Sequence, residues 1–472
     1  MKKLLIIICI LSFFILACDL NNNKNKNKNN QSGLIDWKVP DGNPKTHNLG
    51  DINDFWARDL VKSTFYSLKA ELLHIGEHCY IWVEKTGDTY FKPKNEVLEI
   101  VVAIGNEYDT NIYTKVMGAL GVEFQFEDGN YYNTMQIADF MGNYDGKLCI
   151  LLLDIKDGYV PGTGYVAGYF DSINFYSNFP GLRSNERDMI YIDTYPGIPG
   201  SQASFEVIAH EMQHLMNFVT RQVLGDINNQ SSLMDIWINE GLSAAAEWAV
   251  YGHSMGRISD YNANRGGSLK NGNNFFVWDK DKDISVLDDY STVYLFFQWL
   301  RLQNDNQIYK KIIKSNYSNF MAVTDNATGY DINNWEKLIG DWLRANFVNS
   351  SMGIYGYRGD SAFNNLTKHY INSTNTSVSL YPGEGVFSYR TGMSAAPGPS
   401  GNIRHINITS LGNNALLTFN ANSSNRGWAE TGTITGLIHP SQASSSIAKS
   451  FLEGIPAPYA ISIEEMQRRN NE

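Results

Sequence analysis

The chain has no surplus of positive charge. Its 472 residues carry 38 Lys and Arg against 49 Asp and Glu, a net charge of −11. That balance excludes non-specific nucleic-acid binding as a main role. Cysteine is scarce at four residues, and histidine numbers nine. The apolar run Leu4 to Ala17 falls short of the ~20 residues a membrane-spanning helix needs. No internal repeat is visible. What remains is a globular composition, with 43% hydrophobic, 18% charged and 13% aromatic residues. This length can bury large cores in two or three domains.

Met1-Lys2-Lys3 followed by the apolar run has the layout of an export signal. It ends in Ile15-Leu16-Ala17-Cys18, which looks like a bacterial lipobox and implies cleavage before Cys18 and lipidation of its thiol. Residues 21–30 are only Asn and Lys, with nothing to bury, and read as a solvated tether. The expectation is an exported protein held to a membrane by a lipid anchor. Cys9 leaves with the signal, so Cys79 and Cys149 are the thiols of the folded part. They can pair as a disulfide or stand as two buried thiols.

Composition and pattern divide the chain into five parts. Residues 1–17 are the signal, and 18–50 are tether and lead-in. Residues 51–200 read as a mixed α/β lobe, with strand-like runs at Leu72 to Lys85, Leu148 to Ile155, Tyr165 to Phe170 and Asp188 to Tyr195, and a helical stretch from Val97 to Leu120 broken near Gly105. Residues 201–352 read as a helical lobe. Its helices are expected over Ser201–Arg221, Met234–Tyr251, Asp289–Leu302, Ile308–Lys314 and Asn334–Asn349, with a long connection from Asp260 to Asp283. Residues 353–472 turn rich in Ser, Thr, Asn and Gly with short β-prone runs, expected to form an all-β domain. The fold class is α+β.

The chemistry concentrates in His210-Glu211-Met212-Gln213-His214. Phe205, Ile208, Ala209, Met212, Leu215 and Met216 recur at helical spacing, and Ser201 or Ser204 can cap the start. Residues four apart share one helix face, so His210 and His214 can reach one Zn²⁺ ion while Glu211 takes a proton from water. A catalytic zinc needs a third protein ligand. A third histidine shortly downstream is excluded, because Asn217 and Thr220 hold those positions. Glu240 on the next helix is the best candidate, with Glu247 and His253 as alternatives. Glu247 lies seven residues on, about 20° away on the wheel and roughly 10 Å along the axis. It can line the same face and support the ligands without touching the same ion.

The pattern His210-Glu211-Met212-Gln213-His214, then Asn239-Glu240-Gly241-Leu242-Ser243 and Glu247, resembles the gluzincin metallopeptidases. The closer resemblance, over about residues 70–350, is to the hyicolysin-like secreted metallopeptidases. It extends through 145–158, 166–170 and 184–193, and on to Asp289-Tyr290-Ser291. The resemblance implies a zincin-like core of a mixed-sheet lobe and a helical lobe. It also implies one catalytic zinc held by His210, His214 and Glu240, with Glu211 as general base and protein or peptide substrates. Gluzincins commonly supply an oxyanion-stabilising Tyr from a later helix, which points to Tyr290. A core tyrosine beside Tyr294 and Phe296 is the other reading, and His253 is a weaker candidate for the same task. The Gly-x-Met-Glu-Asn loop of aminopeptidases is absent, which favours endopeptidase over aminopeptidase action. A binding lipoprotein or adhesin on an inactive peptidase fold is the competing class, disfavoured by the presence of Glu211. Asp279-Lys280-Asp281-Lys282-Asp283 has alternating carboxylates that hint at Ca²⁺, but Ile284 stands where a calcium loop needs Gly.

Overall fold

The structure is a computed structural model. It describes residues 47–125, 131–133, 146–162, 164–175, 183–223, 232–272, 275–278, 286–371, 377–389, 395–410, 413–425 and 429–434. The expected signal, Cys18, the Asn/Lys tether and the acidic stretch 279–283 lie outside the described residues. No helix among the described residues is long and apolar enough to cross a membrane.

Two compact units form. Among the described residues, the first takes those up to 233 together with 249–251, and the second takes 234–248 and those from 252 onward. The HExxH helix groups with the preceding sheet.

The first unit is built on a six-stranded mixed sheet. Its strands are β1 (Ile52–Asp59), β2 (Thr64–Ile75), β3 (Cys79–Glu84), β6 (Leu148–Leu153), β7 (Gly168–Phe170) and β8 (Met189–Asp193), in the order β1-β2-β3-β6-β8-β7. A short antiparallel pair, β4 (Glu123–Gln125) and β5 (Tyr131–Asn133), stands apart from it. β3, β6 and β8 run parallel, and the other pairings are antiparallel. Every residue of β6 and β8 is buried, as expected for central parallel strands covered on both faces. One face carries Phe55, Trp82, Leu151, Leu153, Tyr169 and Tyr191 in a single cluster. Helix α1 (Lys94–Glu107) packs on β2 and β3.

The helical stretch does not break at Gly105. It passes into a π turn at Tyr108–Ile112 and resumes as α2 (Tyr113–Leu120). Gly105 serves a different need, since a Cβ there would meet the His74 ring of β2. Of the two readings open for Cys79 and Cys149, the structure has the second: both are buried free thiols. Cys79 stands opposite Leu148 and Cys149 opposite Tyr80. Side chains alternate along a strand, so this one-residue offset sends the two sulfurs to opposite faces of the sheet.

Helix α3 (Gln202–Phe218) begins after Gly200, whose φ of 83° turns the chain. Ser201 caps it by accepting from Ser204 N at 3.3 Å, and Ser204 Oγ accepts from Gly200 N at 3.0 Å. The helix packs on β7 and β8. Gly168 of β7 permits this approach, because a Cβ there would lie 2.6 Å from Val207 Cγ1. A π turn, Val219–Val223, extends the helix.

The second unit holds α4 (Ile236–Tyr251, whose last three residues group with the first unit), α5 (Met255–Ala263), α6 (Val286–Gln303), α7 (Ile308–Ile313), α8 (Met321–Thr324) and α9 (Trp335–Val348). The α9 stripe Trp335, Leu338, Ile339, Trp342, Leu343 and Phe347 is buried core. Five strands follow among the described residues. β10 (Gly385–Tyr389), β11 (Ile403–Ser410) and β12 (Asn413–Asn420) form one antiparallel sheet in the order β10-β12-β11. β9 (Ser377–Leu380) pairs with β13 (Glu430–Thr433). Residues 435–438 lie outside the described residues. Leu380, Val386, Ile403 and Ile434 share a small core here.

Candidate metal centre

Helix α3 is buried almost without interruption from Ile208 to its end. A helix so enclosed has no solvent to satisfy polar side chains, yet it carries His210, Glu211 and His214, exposed by only 8%, 6% and 6%. Burying such groups is costly unless they are hydrogen-bonded, paired or bound to a metal. The two imidazoles meet edge to face, with ring centroids 4.8 Å apart and 79° between planes. His210 Nε2 and His214 Nε2 approach to 3.1 Å. Two Zn–N bonds of about 2.0–2.1 Å span at most ~4 Å, so both nitrogens can reach one ion.

Glu240 lies in the second turn of α4 and is completely buried. Among the described residues, one group of three could hold a metal ion: His210, His214 and Glu240, with ligand atoms all within 4.8 Å of one another. Two imidazoles and a carboxylate suit Zn²⁺. Glu247 and His253 are not in that group.

The neighbourhood of Glu240 is set by close helix packing. A Cβ on Gly241 would run into the Phe297 ring of α6, which is fully buried. Glycine therefore lets α6 lie against α4 beside the carboxylate. Tyr290, Tyr294 and Phe297 follow i, i+4, i+7 spacing and share one face of α6. Tyr294 OH accepts from Ser254 N at 3.0 Å, at the cap of α5. His253, the weaker candidate ligand, is held elsewhere: its Nδ1 lies 3.3 Å from Tyr294 OH and its Nε2 lies 3.0 Å from Asp360 Oδ2.

One residue of this neighbourhood was not legible in the sequence. Arg257, on α5, donates from Nε to Glu247 Oε2 at 3.2 Å and from a terminal nitrogen to Oε1 at 2.6 Å. Its side chain is 21% exposed and that of Glu247 is 9% exposed. Burial pulls the guanidinium pKa down, but the Glu247 carboxylate overrides this and raises it, with further help from Tyr290 and Glu240. The guanidinium carbon sits 5.0 Å from the centre of the Tyr290 ring. Tyr290 also meets Trp278 edge to face at 5.0 Å. The only available signal was Ser254-x-x-Arg257 after the helix-ending Gly252, too weak to mark a short, mostly polar helix.

No family model matches the chain. It is similar to the neutral metalloprotease ShpI of Staphylococcus hyicus, at 25% identity over 332 residues, which is 68% of this chain and 68% of that protein.

Proposed function

We propose that the chain is a zinc-dependent endopeptidase in which His210, His214 and Glu240 hold the ion. The observation that carries the reading is the buried His210, His214 and Glu240 group, with Glu211 next to the first ligand on the same helix. Similarity to a protein named neutral metalloprotease supports it independently.

Bound zinc supplies Lewis-acid polarisation of the scissile carbonyl and acidifies a water molecule. Glu211 accepts the proton of the attacking water and returns it to the leaving amine. Burial excludes bulk water from Glu211 and so strengthens its electrostatic influence on the reacting atoms. Tyr290 donates its phenolic proton in a hydrogen bond to the oxygen that gains charge. Protein chains are the substrates, cut internally. The reading includes export and lipid anchoring through Cys18, supported by the residues around it; loss of lipid labelling in Cys18→Ser, with release from membranes, is the expected result.

The test is cleavage of casein and of an internally quenched peptide by the purified full chain, with zinc content measured alongside. Stoichiometric zinc and cleavage lost in Glu211→Gln support the reading. A protein that binds zinc and cleaves neither substrate, or whose cleavage survives Glu211→Gln, overturns it.

A further inference from the structure

Glu240 and Glu247 stand two turns apart on α4, only about 20° apart around the helix. Glu247 is committed to Arg257 by two hydrogen bonds. Burying such a pair is no stability gain in itself, since an apolar pair of similar volume commonly serves as well. A second contact gives the arginine a further task. While its N–H donors engage the carboxylate, its guanidinium carbon lies over the Tyr290 ring, 5.0 Å from the ring centre. Trp278 meets the same ring edge-on at 5.0 Å, with 85° between planes.

We propose that Arg257 is a positioning residue of the hydrolytic site, clamped by Glu247 and holding Tyr290 in the orientation its phenol needs. The proposal rests on the peptidase reading above and adds a residue to it. The ring thus neighbours both the guanidinium, whose carbon lies 5.0 Å from its centre, and the Trp278 indole. Arg257 acts through Tyr290 and touches no substrate. A lysine keeps the charge but cannot engage a carboxylate as a planar fork while stacking on a ring.

Arg257→Met, Arg257→Lys, Tyr290→Phe and the double variant Arg257→Met/Tyr290→Phe are compared in the full chain. Peptide cleavage is resolved into kcat and KM, zinc content is measured, and near-UV circular dichroism is recorded on metal-free protein. Arg257→Met and Tyr290→Phe should each lower kcat by about 10–100-fold with KM within about threefold and zinc retained. The double variant should match the worse single variant within about threefold, because both changes remove one unit. Arg257→Lys should recover only part of the loss. In the metal-free protein, Arg257→Met should change the near-UV band of the Trp278–Tyr290 pair as Tyr290→Phe does.

Multiplicative losses in the double variant, full activity in Arg257→Lys, or an unchanged near-UV band in a folded Arg257→Met protein would each overturn the assignment. Should Arg257→Met fail to fold, Arg257→Lys decides by the same kcat and near-UV readouts. A wild-type chain that cleaves nothing overturns the peptidase reading instead, and the near-UV arm still decides whether Arg257 orients Tyr290.

Discussion

His210 Nε2 and His214 Nε2 lie 3.1 Å apart inside a helix that is buried on nearly every side. Two neutral imidazoles could share one proton at that distance, but Glu240 adds a carboxylate within 4.8 Å. A buried carboxylate beside two ring nitrogens is best neutralised by a divalent cation. Zinc removal by a chelator is therefore expected to lower the melting temperature by several degrees, and zinc is expected to restore it. Ligand at a thousandfold excess over its dissociation constant contributes about 4 kcal/mol. Glu240→Ala should weaken zinc affinity by at least about 100-fold, read by competition with a chromogenic chelator. Full zinc affinity in Glu240→Ala would remove it from the ligand set.

Glu211 makes a separable prediction. It is not a member of the metal-binding group, so Glu211→Gln should keep one zinc per chain and a near-native melting temperature. Loss of the proposed general base should reduce kcat by about 10²–10⁴-fold, with KM little changed. Loss of zinc in parallel with activity would show that Glu211 acts on the site's structure.

Gly241 tests how Glu240 is held. A methyl group there must displace the Phe297 ring, which has no exposed surface through which to move. Overpacking of this kind costs about 1–3 kcal/mol. Gly241→Ala is expected to lower stability by that amount and also to weaken zinc binding, because Glu240 is the preceding residue on the same turn. Gly241→Ala combined with Phe297→Ala should recover part of the zinc affinity by opening the space. No recovery would mean that backbone geometry, rather than the ring, demands glycine at this position.

The sequence was most legible where chemistry is dense and local. His210, Glu211 and His214 occupy one turn and a half of helix, so their spacing alone marks them, while Glu240 stands out from Glu247 and His253 by the motif on the next helix that carries the family resemblance. Arg257 escaped because α5 starts three residues after Gly252 and reads Met-Gly-Arg-Ile-Ser-Asp-Tyr-Asn-Ala, with only Ile258 and Tyr261 buried. Its partner Glu247 is ten residues away and chosen by tertiary packing. Strand β1 is likewise not among the strand-like runs that the sequence marks. It is an edge strand whose alternate residues stay partly exposed, and its identity comes from pairing with β2. The relation of Cys79 to Cys149 depended on a one-residue strand register that composition does not encode.

Two carboxylates of the first unit should give its stability opposite responses to pH. Glu71 of β2 accepts from Lys85 Nζ at 2.8 Å, Tyr90 OH at 2.6 Å and Lys94 Nζ at 3.2 Å. Burial alone would raise its pKa, but the three donors together hold it at about 2, against an ordinary 4.5. Its folded pKa is depressed, so its stabilisation is present above pH 4.5 and is lost as pH falls toward 2. The amount is at most about 3 kcal/mol, less because the Lys94 side chain is 57% exposed and screened. Asp193, at the end of β8, behaves in reverse. Burial lifts its pKa to about 7 against 3.8, although Ile155 N and Gly197 N both donate to it. The folded state then binds the proton more tightly, so this group erodes stability as pH rises from 3.8 through 7. Urea unfolding from pH 2 to pH 8 should accordingly show a weaker acid limb in Glu71→Gln. It should show a weaker decline between pH 4 and 7 in Asp193→Asn. An acid limb unchanged in Glu71→Gln would assign acid sensitivity to other carboxylates, and an unchanged mid-range slope in Asp193→Asn would mean that the hydrogen bonds from Ile155 and Gly197 outweigh burial.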